Sequence, residues 1–423
     1  MRKQTTASKW EKLDNTANLF PVIATENMTN VYRISVVLTE EIIPSLLQEA
    51  LEEVLPSFAY MDVQMRTGVF WYYFETNQRK APAVKEEDEF PCRYIPPHKN
   101  NHYLFRVTYY KKRINLEVFH VLSDGMGGVN FLRELTYAYL RRVHPELSEG
   151  QDDFSGQTSF NHEDSYVKNY RKPQAKGYKS GEALHIHGEK LPKDSLGVMH
   201  GYMSVSALKE RSHVLKVSIN EYLAGIYTYA IWKEWGKQKN KPIVVCVPVN
   251  LRPYFDSMTT RNFFVMVSST FLPEKESYTV EEVIQEVAAN LRRQMKVEAL
   301  EKLFSYNVSN QKNLMLRAVP LLLKKYAIKF VYYNSAKATT TTLTNIGNFL
   351  LDKKYEPYIS HTQALLSMST GQNIKAAISS CGDILTLTFT TILRDVSIQK
   401  EVFRTLAKDG IEVSIETNGV SED

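Results

Sequence analysis

The stretch that most constrains this chain runs from Arg113 to Gly128, and its residue pattern changes halfway. In the first half apolar and polar side chains alternate, with Ile114, Leu116 and Val118 on one side, which is typical of a half-buried strand. The second half is a short turn with three glycines that let the backbone bend tightly, followed by apolar residues at helical spacing. The sequence therefore predicts a strand, a turn and a helix in that order.

Two side chains of this stretch can carry chemistry. His120 continues the apolar phase of the strand, so its side chain is predicted to lie on the buried side. An imidazole titrates near neutrality and can take a proton from a hydroxyl or an amine. Asp124 directly precedes the predicted helix and is expected to brace the turn without touching a substrate. A lone strand histidine is more often structural than catalytic, so the pattern alone leaves both interpretations open.

The segment from His120 to Gly125 reads His-Val-Leu-Ser-Asp-Gly and resembles the His-x-x-x-Asp-Gly motif of chloramphenicol acetyltransferase-like acyltransferases. That superfamily includes plant acyltransferases, condensation domains of nonribosomal peptide synthetases, and alcohol acetyltransferases of bacteria and fungi. The resemblance is closest to the alcohol acetyltransferase and polyketide-associated branch. Condensation domains usually carry a second histidine just before the catalytic one, and this chain has Phe119 there, which argues against peptide condensation.

The resemblance implies an α/β fold, an α+β sandwich of two chloramphenicol acetyltransferase-like subdomains. The sheets are expected to be mostly antiparallel, with an active-site tunnel between the subdomains. Strands and helices do not alternate regularly along the chain, so a Rossmann fold fits poorly. A polar stretch with few aliphatic residues marks a crossover. We therefore expect an N-terminal subdomain over 1–170 that carries the motif, a linker over 171–195, and a C-terminal subdomain over 196–423.

Two capping boxes predict helices in the second half of the chain. Ser218 and Glu221 open a helix that is expected to reach Trp235. Thr279 and Glu282 open another, which is expected to run without interruption to about residue 303.

Two arginines are candidates for a bidentate pair that would hold Asp124 ionised. Arg66 lies in a Met-Arg-Thr segment, which resembles a Leu-Arg-Thr element that supplies such an arginine in condensation domains. Arg252 follows a predicted buried strand and is the second candidate, either for Asp124 or for a phosphate of coenzyme A. An ordinary structural or surface role remains open for each arginine.

A β-branched run ends in Thr344-Asn345-Ile346-Gly347, which resembles the Ser/Thr-Asn-x-Gly element of related acyltransferases. Thr344 and Asn345 are therefore candidate donors to the oxyanion of a tetrahedral intermediate. The alternative is a turn that needs Asn and Gly only for its dihedral angles. The Asp-Phe-Gly-Trp-Gly motif of the plant enzymes is absent from the sequence.

The resemblance implies an acyltransferase that moves an acyl group from acyl-coenzyme A, such as acetyl-coenzyme A, to an alcohol hydroxyl. His120 would act as general base for direct attack on the thioester. Ser123 and Gly125 belong to the motif loop, but Ser123 lacks the flanking glycines of a nucleophile elbow. Acyl-coenzyme A would be a co-substrate, with no tightly bound cofactor and no metal.

Two alternative functions stay open. One is an enzyme of polyketide or peptide metabolism that takes its acyl group from a carrier protein, in the manner of a condensation domain. The other is a non-catalytic member of the fold that binds a ligand or a partner. The sequence does not distinguish an alcohol acceptor from an amine acceptor.

Composition argues against several other classes of protein. The net charge of +5 is mild and the basic residues are scattered, so no nucleic-acid partner is expected. Three widely separated cysteines predict a reduced, cytoplasmic protein. The first twenty residues lack the apolar core of a signal peptide.

The most apolar stretch of the chain, residues 314–331, is interrupted by basic residues and a proline. It is too charged to cross a bilayer, so no stable membrane insertion is expected. Two interpretations remain: an amphipathic helix that touches a membrane or a lipid-like substrate, or, more simply, a helix packed on the core with its lysines outward.

Overall fold

The computed structural model describes residues 10–148, 164–171, 181–236, 241–312 and 318–420. Part of the predicted linker therefore lies outside the described residues. In chain order the described strands are β1 (Trp10–Lys12), β2 (Val31–Leu38), β3 (Val63–Thr67), β4 (Tyr72–Thr76), β5 (Lys85–Glu86), β6 (Phe105–Tyr110), β7 (Arg113–Phe119), β8 (Gly197–Ser204), β9 (Ile243–Asn250), β10 (Phe264–Phe271), β11 (Thr341–Asn348), β12 (Ile359–Leu366), β13 (Ile374–Cys381), β14 (Ile384–Thr391) and β15 (Ser414–Thr417).

Helices alternate irregularly with these strands. Those within the described ranges are α1 (Phe20–Ile23), α2 (Pro44–Val54), α3 (Gly125–Val143), α4 (Ser165–Lys168), α5 (Val205–Val214), α6 (Ile219–Ile231), α7 (Arg252–Phe255), α8 (Val280–Gln294), α9 (Val297–Lys312), α10 (Leu321–Ala336) and α11 (Ser397–Lys408).

Three sheets organise the mixed α/β fold. A five-stranded sheet has the order β12-β2-β7-β6-β5, a seven-stranded sheet has the order β10-β9-β11-β13-β14-β8-β15, and a small sheet joins β1, β4 and β3. Most neighbouring strands are antiparallel, as predicted; β5 with β6, and β11 with both of its neighbours, are parallel. Each of the two larger sheets has its own apolar core.

The five-stranded sheet takes one strand from the second part of the chain. Strand β12 pairs with β2 along its length, with Gln363 opposite Ser35. The next two strands, β13 and β14, return to the seven-stranded sheet. The chain thus passes between the two larger sheets three times, after β7, β11 and β12, and the domain boundaries at 170 and 196 stay a prediction.

Strand β7 carries the motif and lies at the centre of its sheet, between β2 and β6. Its apolar residues are buried as predicted, but its polar face is buried too, so the half-buried assignment is wrong. Glu117 is tolerated there because Arg33 and Arg106 pair with its carboxylate. Asn115 accepts a hydrogen bond from the Ser35 hydroxyl at 2.8 Å. Buried polar groups persist when such partners satisfy them.

Both predicted capping boxes form, at Ser218 and at Thr279. The prediction of one uninterrupted helix to residue 303 is wrong, because α8 ends at Gln294 and α9 begins at Val297. Arg292 lies in the last turn of α8 and pairs with Glu221 of the other capping box at 2.7 Å. A basic last turn favours a helix end at this point, because the carbonyl end of a helix carries partial negative charge.

Helix α10 contradicts the simpler prediction for the apolar stretch. Its described residues form a helix from Leu321 to Ala336, but of these only Leu321 is buried and the outward residues are mostly apolar. No helix of the described ranges is long and apolar enough to cross a bilayer.

Candidate active site

His120 lies directly after β7, and its backbone N–H donates to the carbonyl of Asn30 at 2.9 Å. Three aromatic rings surround the half-buried imidazole. Phe20 of α1 stacks on it with ring centroids 4.6 Å apart, while Tyr32 approaches edge-on at 5.1 Å and Phe264 lies at 5.6 Å. Because Phe264 belongs to β10, residues of both large sheets enclose the histidine.

The Nδ1 atom of His120 lies 3.1 Å from Oδ1 of Asn262. An amide oxygen accepts hydrogen bonds and does not donate them, so Nδ1 carries the proton in the neutral ring. The lone pair is then on Nε2, the atom that can accept a proton from a substrate.

Burial lowers the pKa of His120 below its ordinary value. The charge of Asp124 and the hydrogen bond to Asn262 act in the opposite direction, and the positive charge of Lys375 lowers the pKa further. The imidazole is therefore neutral at physiological pH, which is the protonation state that a general base needs.

Asn262 connects His120 to a buried carboxyl group. Its Nδ2 donates to Oδ2 of Asp14 at 3.0 Å, while Oδ1 of Asp14 accepts from the Ala17 N–H at 2.7 Å. Burial raises the pKa of Asp14 to about 7, against the lowering effect of the Asn262 hydrogen bond. Neither Asp14 nor Asn262 was selected from the sequence as a site residue, because 248 positions separate them and no local pattern joins them.

Asp124 is the N-cap of α3 and is held by both halves of the chain. Its carboxylate accepts from Arg252 at 2.9 and 3.1 Å, from the Phe263 N–H at 3.0 Å and from the Gly127 N–H at 3.3 Å. Its backbone carbonyl accepts from the Tyr32 hydroxyl at 2.8 Å. With its oxygens bonded in this way, Asp124 joins the loop that carries His120 to Arg252 and Phe263.

Arg252 therefore occupies the position for which two arginines were candidates. It also donates to Asn250 and to the carbonyls of Thr259 and Arg261, so its guanidinium N–H groups are all engaged. A phosphate of coenzyme A would have to displace one of these partners, which argues against the alternative role.

The predicted pair between Arg66 and Asp124 is wrong. Arg66 lies on β3 in the small sheet, where its side chain is half exposed and pairs with Glu75 at 2.8 Å. A strand arginine with a cross-strand carboxylate needs no further partner.

The motif glycines serve close packing. Gly125, Gly127 and Gly128 begin α3 with ordinary negative φ angles, so the expectation of a sharp glycine bend is wrong. A Cβ on Gly127 would lie 2.1 Å from Oγ of Ser123 and 2.9 Å from a backbone oxygen. The buried Ser123 hydroxyl donates to the carbonyl of Asp124 at 2.8 Å and supplies no nucleophile.

The two candidate oxyanion donors lie on β11, beside the motif loop. Ile346 of the same segment is close enough that a Cβ on Gly125 would lie 3.3 Å from its Cγ2. Asn345 is exposed, and its Oδ1 accepts from the N–H of Gly347, whose φ is +83°. This geometry matches the turn explanation for Asn345, while the half-buried Thr344 stays a candidate.

Lys375 is a buried cation that the sequence analysis missed. Its ammonium donates to the Ser367 carbonyl at 2.8 Å and to the Ser369 hydroxyl at 2.6 Å, and burial lowers its pKa to about 8. Ser367 in turn donates its backbone N–H to the carbonyl of Val31, next to the residue that anchors His120. Both of these ammonium bonds go to neutral oxygens, and the positive charge of Lys375 lowers the pKa of the His120 imidazole.

Comparisons with solved structures agree with this architecture. Polyketide synthase associated protein 5 from Mycobacterium tuberculosis aligns over 94% of this chain and 97% of its own, with a TM-score of 0.61 and 12% identity. The condensation domain of the monacolin K polyketide synthase MokA aligns over 95% and 96%, with a TM-score of 0.58 and 10% identity. Fusarium sporotrichioides TRI101, complexed with coenzyme A and T-2, covers 96% and 99%, with a TM-score of 0.58 and 11% identity.

No family model and no curated protein sequence matches the chain. Identities near one residue in ten show a shared fold and leave the reaction open. The matches nevertheless span nearly the whole chain and include a condensation domain and a protein complexed with coenzyme A. The chain has the two-subdomain fold of the chloramphenicol acetyltransferase-like and condensation proteins.

Proposed function

We propose that this protein is an acyltransferase that moves an acyl group from acyl-coenzyme A to an alcohol, with His120 as general base. The observation that carries the proposal is the geometry of His120: a neutral, half-buried imidazole whose Nδ1 is bonded to the amide oxygen of Asn262. Only Nε2 is left to accept a proton, and general-base catalysis needs one such fixed lone pair.

The proposed reaction needs no covalent enzyme intermediate. Nε2 of His120 takes the proton of the acceptor hydroxyl while the acceptor oxygen attacks the thioester carbonyl. The new C–O bond forms, the C–S bond breaks, and the imidazolium returns the proton to the thiolate of coenzyme A. Thr344 is the candidate donor to the intermediate oxyanion, and Asp124 with Arg252 holds the loop in place.

Two further observations support acyl transfer from a thioester. One aligned structure, that of TRI101, contains coenzyme A, and the buried cation of Lys375 acts electrostatically on His120. A positive charge near the reacting atoms favours the oxyanion and thiolate that develop during the reaction.

The test is thiol release from acetyl-coenzyme A and longer acyl-coenzyme A esters with a panel of alcohols and amines. We expect acceptor-dependent release that falls by about 10²- to 10⁴-fold in His120→Ala, the usual contribution of a general base. The exposed His187 gives the matched control variant His187→Ala, which should keep wild-type rates. Release that survives His120→Ala would refute the mechanism.

If no acyl-coenzyme A supports release, the same assay with an acyl-loaded carrier protein decides between a carrier donor and a non-catalytic protein. Release from the acyl-loaded carrier that depends on His120 would support His120 as the general base and would identify a carrier protein as the acyl donor. No release from either donor would favour a binding function for the fold.

A further inference from the structure

Helix α10 is oriented with its apolar side outward. Leu322, Tyr326, Phe330 and Tyr333 recur at spacings of three and four residues, so they share one face of the helix. Tyr326 and Phe330 are each 70% exposed and Leu322 is 67% exposed. Soluble proteins rarely leave so many large apolar side chains of one helix in water, because each loses its favourable burial.

The inner side of α10 is fixed to the protein. Leu321 donates its N–H to the carbonyl of Val69 at 2.8 Å, and the Tyr332 hydroxyl contacts the sulfur of Met28 at 3.3 Å. The helix also contacts α1, which carries the Phe20 ring that stacks on His120. The outward side is therefore a stable feature of the fold.

A second exposed apolar segment lies beside the helix. Residues 69–71 form the turn between β3 and β4, and all three side chains, Val69, Phe70 and Trp71, are exposed. Lys324 of α10 donates to the carbonyl of Phe70 at 3.1 Å, which joins the turn to the helix. We call the outward residues of α10 together with residues 69–71 the docking face.

Positive charge surrounds the docking face. Helix α10 contains Lys324, Lys325 and Lys329 and no acidic residue. The Lys12 ammonium lies 5.5 Å from the centre of the Trp71 ring, at the edge of the same face. Exposed aromatic and leucine side chains flanked by lysines are typical of helices that lie in the interface of an anionic bilayer.

We propose that the docking face binds the surface of a membrane that contains anionic lipids, with α10 parallel to the membrane plane. The long lysine stems reach from the flanks of the helix to lipid phosphates, while the apolar side chains enter the boundary of the acyl chains. A second copy of this chain fits less well, because a symmetric contact would bring the same lysines together. This docking is independent of the proposed reaction.

The test is flotation of the full-length protein with vesicles of phosphatidylcholine alone or with about one third phosphatidylserine, a fraction chosen to give a strong negative surface potential. We expect binding to the anionic vesicles that weakens with added salt. The variant Leu322→Ser/Tyr326→Ser/Phe330→Ser should bind at least tenfold more weakly, and Lys325→Gln/Lys329→Gln should lose the preference for anionic lipid. Val214→Ser changes an exposed apolar residue of α5 and should bind as the wild type does.

Fluorescence gives an independent readout of the docked orientation. Lipids brominated in the acyl chains should quench the emission of Trp71 on binding, and Trp71→Phe should remove most of that quenching. No binding to anionic vesicles, or equal binding by the triple serine variant, would overturn the proposal. Concentration-dependent self-association that the triple variant abolishes would assign the face to a second copy instead, and would also overturn it.

Thiol release with water-soluble substrates, measured on the same variants, separates this proposal from the proposed function. We expect wild-type rates in the triple serine variant, because its three residues lie on the outward face of α10, away from His120.

Discussion

The Oδ1 atom of Asn262 lies 3.1 Å from Nδ1 of His120, and this contact decides which imidazole nitrogen faces a substrate. The amide is itself held, because its Nδ2 donates to the buried carboxyl group of Asp14. An acceptor on Nδ1 keeps the proton there and leaves Nε2 as the base. Asn262 is thus a positioning residue that acts through His120.

Replacing Asn262 tests that role. In Asn262→Ala the ring loses the acceptor that holds the proton on Nδ1, so we expect kcat to fall by about tenfold or more, or about 1.4 kcal/mol of transition-state stabilisation. KM should change little if Asn262 does not touch the substrate. The measurement is steady-state kinetics of thiol release.

Asn262→Asp separates positioning from simple structural damage. A carboxylate beside Nδ1 favours the imidazolium, so the pKa of His120 should rise and the acid limb of the pH–rate profile should move to higher pH. If the variant folds normally and the acid limb of its pH–rate profile does not move, the proposed action of Asn262 on His120 is contradicted.

The wild-type pH profile follows from the burial of His120. Burial lowers the pKa of the imidazole, so the ring stays neutral and active as the pH falls through the ordinary histidine range near 6.5. We expect kcat/KM to decline only below that range, as the base becomes protonated. A decline centred at or above pH 7 would show that a different group limits the rate.

We expect the two arginines to contribute very differently to the free energy of unfolding. Arg252→Ala leaves the Asp124 carboxylate buried without its cation, a loss that typically costs about 3–5 kcal/mol of the free energy of unfolding. Arg66→Ala removes an exposed pair with Glu75 and should cost less than about 1 kcal/mol. Urea denaturation of both variants measures the difference, and equal losses would contradict the assignment of Arg252 as the partner.

How much the sequence predicts depends on the distance over which residues interact. The strand, turn and helix around His120 follow from local periodicity, and the capping boxes at Ser218 and Thr279 form as predicted. These features involve residues within a few positions of each other. The choice of Arg252 over Arg66 depends on which loop packs against α3, and no local pattern carries that information.

The other features that the sequence did not predict also depend on contacts between residues that are far apart in the chain. Asp14 and Asn262 meet across 248 positions, and the pairing of β12 with β2 requires the chain to return to its first sheet. The orientation of α10 is also a tertiary property, because apolar residues all around a helix do not indicate which side faces water. Local patterns therefore predict the motif and its elements, and long-range contacts complete the site.

The titration of Asp14 should make the free energy of unfolding of the protein depend on pH. Burial raises the pKa of its carboxyl group from 3.8 to about 7, so the folded state holds a proton that the unfolded chain releases near pH 4. Between these values Asp14 binds more protons in the folded state, so its contribution to the free energy of unfolding falls as the pH rises. Above about pH 7 both states are ionised and this contribution becomes constant.

Asp14→Asn should remove that dependence. The free energy of unfolding of the wild type, minus that of the variant, should fall by a few kcal/mol from pH 4 to pH 7.5, since one pKa unit corresponds to about 1.4 kcal/mol. Asp383→Asn is the matched control: hydrogen bonds from Ser206 and Ser204 lower the pKa of this carboxyl group, so the corresponding difference should stay constant above about pH 5. Urea denaturation at several pH values measures both differences, and a constant difference for Asp14→Asn would contradict a protonated Asp14 in the folded protein.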